Sequence, residues 1–223
     1  MAEPSSPQTA VRRHPERGHY DRAVIDAILD EALYCHVGFV HEGRPFVIPT
    51  IHARSGDLLY LHGSTSSRML RTLAEGTDVC VTVTLVDGVV LARSVFNHSL
   101  NYRSVVVLGR GQPVPDGEEK LAALKSIVEH MVPGRSLDAR APNEKELAQT
   151  SVLWLPLNEA SAKVRSGPSK DARFDIPLPV WAGVIPMRLL AGEPVIDAEV
   201  PPGVDMPGYV RDYQRASRDL PLT

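Results

Sequence analysis

The stretch VCVTVTLVDGVVLA at residues 79–92 decides the fold class. Apolar side chains at 79, 81, 83 and 85 alternate with Cys80, Thr82 and Thr84, and this period of two is typical of a β-strand with one buried face. Asp87-Gly88 then predicts a two-residue hairpin turn, with a return strand over 89–92. The stretch therefore indicates antiparallel pairing between segments that are neighbours in the chain.

Short strand patterns recur on both sides of this stretch. They cover 34–41, 46–54 and 58–62 before it, and 104–112, 152–155 and 160–165 after it. Helical spacing is found after Asp21, over 66–75 and 118–131, and in a short segment over 143–150. We expect a mainly β (α+β) protein, built as a small antiparallel barrel of six to seven strands with peripheral helices.

Composition excludes several classes of protein. The 223-residue chain is 43% hydrophobic and has a formal net charge of -3, which argues against nucleic acid as the main partner. No apolar run is long enough to span a membrane, and residues 1–9 lack the features of a signal peptide, so we expect a cytoplasmic protein. Cys35 and Cys80 are expected to be buried free thiols rather than a disulfide. The eight histidines show no metal-binding motif, and we expect no metal site.

Three segments are expected along the chain. Residues 1–18 predict a disordered N-terminal arm, and residues 19–170 predict the barrel domain. Residues 171–223 are rich in proline, which prevents long regular elements, and we expect this extension to pack on the barrel.

One candidate site is the polar loop between the strand at 58–62 and the following helix. The start of a helix offers unpaired backbone N–H groups to a phosphate, and Ser64, Ser66 and Ser67 add hydroxyl donors. Arg68 and Arg71 lie on one helical face and add positive charge. An ordinary capped helix with two solvated arginines explains the same residues equally well.

Two further candidates come later in the chain. The connection over 93–104 is rich in hydrogen-bonding and aromatic side chains, which suits the flat ring and carbonyl edge of a flavin. His98 alone, however, is typical of a satisfied loop histidine, and Tyr102 is typical of a core aromatic residue. Lys163 and Arg165 alternate on one strand, where they serve either a ligand or a protected sheet edge. Trp181 stacks on a ring or, more simply, pins the C-terminal extension.

The order of these segments resembles a known family. The stretches YCHVGF at 34–39 and GRPFVIP at 43–49 resemble the opening of the pyridoxamine 5'-phosphate oxidase-like superfamily. The stretches LYLHGS at 59–64 and HSLNYRSV at 98–105 are similar to the branch of the 5-nitroimidazole-resistance and flavin-nucleotide-binding proteins. The resemblance covers roughly residues 12 to 190, which is most of the chain.

The resemblance implies a split β-barrel and a homodimer that holds FMN at its interface. The strand over Val47, Pro49 and Thr50 would line the isoalloxazine ring. The phosphate and ribityl chain would be faced by His62, Ser64, Ser66 and Arg68. The ring would be bordered by Asn97, His98 and Arg103, and the site would be closed by Lys163 and Arg165.

The reaction is less determined than the fold. We expect an oxidoreductase that passes electrons from a reduced nicotinamide to a small organic acceptor or oxygen, with His98 as the sole candidate acid or base. The alternative is a non-catalytic carrier or regulatory protein that binds flavin or haem, with His98 or His62 as an axial ligand. A deazaflavin is a further alternative to FMN. Residues 215–223 lack the Arg-x-His clamp of true pyridoxamine phosphate oxidases, so oxidation of vitamin B6 is not expected.

Overall fold

The computed structural model describes residues 2–214, and its centre is an antiparallel sheet of ten strands in this part of the chain. The strands are β1 (Gly18–His19), β2 (Tyr34–His41), β3 (Arg44–Ser55), β4 (Leu58–Ser64), β5 (Asp78–Leu91), β6 (Ser99–Arg110), β7 (Gln112–Pro113), β8 (Thr150–Pro156), β9 (Ala160–Arg165) and β10 (Gly183–Pro186). Their order is β1-β9-β6-β5-β2-β3-β4-β8-β7, and β10 pairs with β5.

Helices lie around this sheet. They are α1 (Arg22–Glu31), α2 (Arg68–Ala74), α3 (Glu118–Met131), α4 (Arg135–Asp138), α5 (Glu144–Ala148) and α6 (Gly208–Arg211), with 3-10 turns at Pro15–Arg17 and Val95–Asn97. The helix α1 buries Ile25, Ile28 and Leu29, whose three- and four-residue spacing places them on one face. None of the helices described over residues 2–214 is long and apolar enough to cross a membrane.

The sheet closes around one hydrophobic core. Residues of α1 and α2 belong to the same cluster as buried side chains from both halves of the sheet. The strand residues include Val37, Leu61, Val81, Val107, Leu155 and Ala162. Because alternate residues of each strand point inward, the apolar positions of the sequence pattern form this core. The predicted fold, a split β-barrel with peripheral helices, is confirmed.

Strand count and strand length differ from the prediction. Seven of the described strands have six or more residues and correspond to the predicted ones, whereas β1, β7 and β10 have two to four residues. Strands this short carry too few residues to show a period of two. They form because a neighbouring strand edge supplies hydrogen-bonding partners.

The predicted hairpin turn at Asp87-Gly88 is wrong. The strand β5 continues through both residues, with a shift of register between Val86 and Gly88 where it pairs with β6. A Cβ atom at Gly88 would lie 2.8 Å from Cγ1 of Val184 in β10. This glycine therefore permits the close approach of another strand rather than a turn, and the irregularity is a β-bulge.

Segments from both sides of the barrel domain, residues 18–19 and 183–186, join the same sheet. Residues 1–18 were expected to be a disordered arm, yet Gly18 in β1 pairs with Lys163, and the Val11 N–H donates to the Tyr20 hydroxyl at 2.9 Å. The C-terminal extension contributes β10 to the sheet edge. The departure from the pyridoxamine phosphate oxidase pattern at residues 215–223 lies outside the described residues.

Candidate functional site

A row of polar side chains crosses the sheet face that points away from the core, which we call the outer face. Thr84 pairs with Ser104, and Ser104 pairs with Lys163, so three neighbouring strands contribute to one row. In the adjacent row, Val86 pairs with Tyr102. Directly opposed residues of antiparallel strands lie on the same face. Two hydroxyls and an ammonium group therefore lie beside an apolar and aromatic surface.

The outer face continues onto an arm formed by β10 and the later part of β5 with the start of β6. Ile185 pairs with Val89, and Val89 pairs with Leu100, which gives an apolar row across three strands. His98 precedes Leu100 by two residues in extended backbone, so the two side chains lie on the same face. The outer face thus has a polar end at Ser104 and an apolar end at Leu100.

Three cations lie near the polar end, and we call Arg17, Lys163 and Arg165 the basic cluster. Arg165 is 7% exposed, and its guanidinium donates to the side-chain oxygen of Asn101 and to the carbonyl of Pro168. Burial lowers the pKa of Arg165, and the charge of Arg17 lowers it further. Within residues 2–214 no carboxylate pairs with Arg165. A buried cation without a counter-charge is costly, so this cluster favours an anionic ligand.

Arg103 has the opposite environment. Its guanidinium donates to both carboxylate oxygens of Glu31, with Nη2 at 2.8 Å from Oε1, and to the carboxylate of Asp87 at 2.8–3.3 Å. These bonds raise the pKa of Arg103, the bond to Glu31 most of all. Arg103 was expected to border the flavin ring, but these two carboxylates engage its donors. We therefore assign Arg103 to the closure of α1 against the sheet.

The polar loop that carries Ser64, Ser66 and Ser67, which we call the serine loop, forms hydrogen bonds among its own residues. The hydroxyls of Ser64 and Ser66 lie 2.8 Å apart, and the Ser66 N–H donates to the Ser64 hydroxyl. The helix α2 begins at Arg68 instead of residue 66, with Ser67 as its N-cap. The Arg68 guanidinium lies over the ring of Phe46, 4.4 Å from its centroid. This contact brings the loop against β3 at Phe46, whose side chain packs against the core and points away from the face of Val47.

The three predicted residues of β3 do not share a face. Val47 pairs with Gly38 and Pro49 pairs with His36, which places them on the outer face. Thr50 pairs with the buried Cys35 and therefore points the other way. The period of two separates neighbours along a strand, so Val47 and Pro49 remain together as candidates and Thr50 does not join them. Val47 is 68% exposed.

Two histidines predicted in the site have different surroundings. The Nδ1 atom of His62 is buried and makes no hydrogen bond within the described part of the chain, and burial lowers the pKa of this imidazole. His98 is exposed at the end of the arm, and its Nδ1 lies 3.0 Å from the carbonyl oxygen of Ser94. Asn97 closes the same turn through its backbone N–H, which donates to Ser94.

The predicted residues thus form separate groups rather than one constellation. Lys163 and Arg165 lie in the basic cluster, Asn97 and His98 lie on the arm, and the serine loop lies beside β3. Sequence reasoning missed Arg17, because its position beside Arg165 depends on the pairing of β1 with β9. No local pattern near residue 17 carries that information.

The model of the pyridoxamine 5'-phosphate oxidase family matches residues 21–164. The chain belongs to this family. The match extends from the first residues before α1 to β9, which includes all seven long strands. None of the curated proteins compared with the chain matches it.

Two solved structures of this fold are similar to most of the chain. The flavocytochrome Anf3 from Azotobacter vinelandii is 39% identical, over 96% of this chain and 100% of that one, with a TM-score of 0.91. The FAD and haem binding protein from Mycobacterium smegmatis is 38% identical, over 87% and 96%, with a TM-score of 0.84. These similarities extend well past the family match and into the C-terminal extension.

A third structure confirms the predicted branch. A protein from Bacteroides thetaiotaomicron assigned to 5-nitroimidazole antibiotic resistance is 27% identical, over 66% of this chain and 86% of that one, with a TM-score of 0.56. The structural neighbours of this family member therefore include proteins that bind flavin and haem, and one related to nitroimidazole resistance.

Proposed function

We propose that the protein is a flavocytochrome that binds flavin and haem. In this proposal it passes electrons from a reduced nicotinamide to a small organic acceptor or oxygen. The observation that carries the proposal is the 39% identity with the flavocytochrome Anf3 over the whole of that protein. The 38% identity with an FAD and haem binding protein supports it independently.

The outer face fits a flavin. An isoalloxazine ring needs a flat apolar surface with polar groups at its edge, and Tyr102 and Val86 lie beside the Lys163 ammonium, a donor. The Ser104 hydroxyl lies in the same row, and since it donates to the Lys163 carbonyl at 3.3 Å, its oxygen is left to accept. The basic cluster supplies charge for the phosphate groups, since Arg165 is buried without a carboxylate partner among residues 2–214. Val47 and Pro49 offer a second apolar wall. The serine loop, whose hydroxyls bond to each other, is the rival phosphate site.

We propose FAD as the flavin. The resemblance predicted FMN, but the relative from Mycobacterium smegmatis is an FAD and haem binding protein at 38% identity. The second phosphate and the adenosine of FAD need more surface than FMN does. The outer face and the C-terminal extension offer that surface, with exposed apolar side chains at Phe174, Trp181 and Leu190.

The protein's own residues bind and orient these groups. Bound flavin supplies hydride acceptance and haem supplies single-electron exchange, so the hard chemistry belongs to the cofactors. The Lys163 ammonium would donate a hydrogen bond to the ring, the Ser104 oxygen would accept one from a ring N–H, and Arg165 would hold the phosphate end. The extension would exclude water from the outer face. A small-molecule substrate would meet the flavin on its open side.

A homodimer completes the proposal. Tyr34, Val40 and Val47 are exposed on β2 and β3, and contiguous apolar surface of this kind marks an interface. A two-fold pair is the commonest way to cover such a surface. Sedimentation at micromolar concentration is expected to give a dimer, and replacing Val47 by Glu is expected to weaken it. A wild-type monomer would exclude the shared-interface arrangement.

An absorption spectrum of the freshly purified protein tests the function. We expect flavin bands and a Soret band together, and we expect anaerobic NADPH to bleach the flavin and reduce the haem. Chromatography after acid extraction separates FAD from FMN and a deazaflavin. Cofactors that stay oxidised with every nicotinamide donor would support a non-catalytic binding protein instead. A protein that takes up neither cofactor when both are added would refute the proposal.

A further inference from the structure

We propose that His98 is an axial ligand of haem bound on the apolar end of the outer face. This inference rests on the proposed function, because it assumes that the chain binds haem. It assigns the site to the arm of β5, β6 and β10. Nothing in the family match or in the similarities to solved structures assigns a residue to this role.

The first support is the tautomer of the imidazole. The Nδ1 atom of His98 lies 3.0 Å from the carbonyl oxygen of Ser94. A carbonyl oxygen only accepts hydrogen bonds, so Nδ1 carries the proton. In the neutral imidazole the lone pair then lies on Nε2, which is the atom that binds a metal. Ligating histidines are usually held in this way by a carbonyl or carboxylate behind the ring.

The second support is the surface beside the imidazole. Leu100, Val89 and Ile185 form the apolar row on the same face, and Leu100 and Ile185 are exposed. Phe96 and Val95 at the tip of the arm are 92% and 91% exposed. Side chains of this kind are costly in water, and together they offer a wall for a flat apolar macrocycle.

The third support is the rigidity of the loop that carries His98. The backbone N–H and the guanidinium of Arg93 both donate to the Asp171 carboxylate, at 3.0 and 2.9 Å. The Phe96 N–H donates to the Ser94 hydroxyl, and the Asn97 N–H donates to the Ser94 carbonyl. The exposed side chains of Val95 and Phe96 are therefore carried by a turn that several hydrogen bonds hold in place. A ligand held in advance binds its metal at a lower entropic cost.

Three other histidines of the barrel, His41, His52 and His130, are less suited to this role. His52 is fully buried and His130 is half-buried, and their Nε2 atoms lie 3.0 and 2.8 Å from the carbonyl oxygens of Leu29 and Ala32. His41 bonds to the Thr72 hydroxyl through Nδ1. His62 is the rival, because its Nδ1 is buried without a hydrogen bond in the described region, but β4 gives it no exposed apolar platform of this kind.

Haem titration of three proteins tests the assignment: wild type, His98→Gly and the rival His62→Gln. The readouts are the Soret absorption and the electron paramagnetic resonance spectrum of the ferric haem. We expect His98→Gly to bind haem at least tenfold more weakly, with altered ligand-field signals, and added imidazole to restore the wild-type spectrum. We expect His62→Gln to keep the wild-type haem affinity and the wild-type spectra. Flavin content and circular dichroism check that each variant is folded.

A second variant covers the case in which His98→Gly fails to fold. Phe96→Asp changes a side chain that is 92% exposed, so we expect it to fold normally and to weaken haem binding through the lost apolar contact. A His98→Gly protein with wild-type Soret and resonance spectra would overturn the assignment, as would loss of haem in His62→Gln alone. A wild-type protein that binds flavin but no haem would instead refute the haem part of the proposed function, and the assignment with it.

Discussion

Arg103 and Arg165 lie on the neighbouring strands β6 and β9, and each is 7% exposed. Arg103 binds the carboxylates of Glu31 and Asp87, and these bonds raise its pKa. Arg165 binds an amide oxygen and a backbone carbonyl, and burial lowers its pKa. Two arginines with equal burial therefore have opposite electrostatic balances.

The difference in partners indicates a structural role for Arg103 and a ligand-binding role for Arg165. A buried cation with two carboxylates is neutralised by the protein itself and holds α1 to the sheet. A buried cation whose only described partners are neutral oxygens keeps its affinity for an anion. The energetic cost of Arg165 in the ligand-free protein is what we expect at a site that awaits a charged ligand.

Replacing Arg103 by Met is expected to have the largest effect on stability. The change leaves the Glu31 and Asp87 carboxylates, both partly buried, without their cation, and breaking a buried pair costs about 3–5 kcal/mol. Urea unfolding measures the loss in the free energy of unfolding. Arg110→Met is the matched control, because Arg110 pairs with Asp78 at an exposed position and surface pairs contribute little. Equal effects of the two changes would remove the distinction between buried and surface pairs.

Replacing Arg165 by Met is expected to affect ligand binding and leave stability unchanged or slightly higher. The cofactor-free protein loses a buried charge that has no counter-charge among residues 2–214. The affinity for flavin is expected to fall about 10- to 100-fold, the effect of one charge-assisted hydrogen bond. Flavin titration by fluorescence quenching measures this change.

The double change Ser64→Ala and Ser66→Ala is the matched comparison for Arg165. It removes the two hydroxyls of the rival phosphate site, which bond to each other across the loop. We expect flavin affinity to change less than threefold. A larger loss in this variant than in Arg165→Met would place the phosphate in the serine loop and end the contrast between the two arginines.

The pH dependence of stability reports the same desolvation effect on His62. Burial lowers the pKa of His62 below its usual 6.5, so the unfolded chain binds a proton more readily than the folded one. Its contribution to stability is therefore complete above pH 6.5 and is lost as the pH falls from that value through the lower pKa of the folded state. Unfolding between pH 8 and pH 5 is expected to be less pH-dependent in His62→Gln than in the wild type. Identical pH profiles would contradict the burial of this imidazole.

The smallest expected effect concerns the two thiols. Burial raises the pKa of Cys35 to about 12 and also raises the pKa of Cys80, so both are protonated thiols of low reactivity at neutral pH. A thiol reagent is expected to modify Cys80, which is only half-buried, slowly and Cys35 only after unfolding. Fast labelling of Cys35 in the folded protein would show that the core is open.

The sequence alone determined the strands and the main helices. The alternation over 79–86 and the spacing in 118–131 predicted β5 and α3, since burial of one face imposes a period of two on a strand and 3.6 on a helix. The motifs around Gly43 and Tyr102 indicated the family, which the match confirmed. His62, His98, Lys163 and Arg165 were also named as candidates from the sequence, whereas Arg17 was not.

Only the tertiary structure decided how those residues are grouped. Arg103 and Arg165 look alike in the sequence. The difference between them arises because Arg103 pairs with the carboxylate of Glu31, which lies 72 residues away in α1. Thr50 does not lie on the outer face, because the register of β3 against β2 places it opposite the buried Cys35. Gly88 lies in a β-bulge instead of a turn, because the strand β10 from the C-terminal extension packs against it. Local patterns record burial and period, whereas partners far apart in the chain are fixed only when the sheet closes.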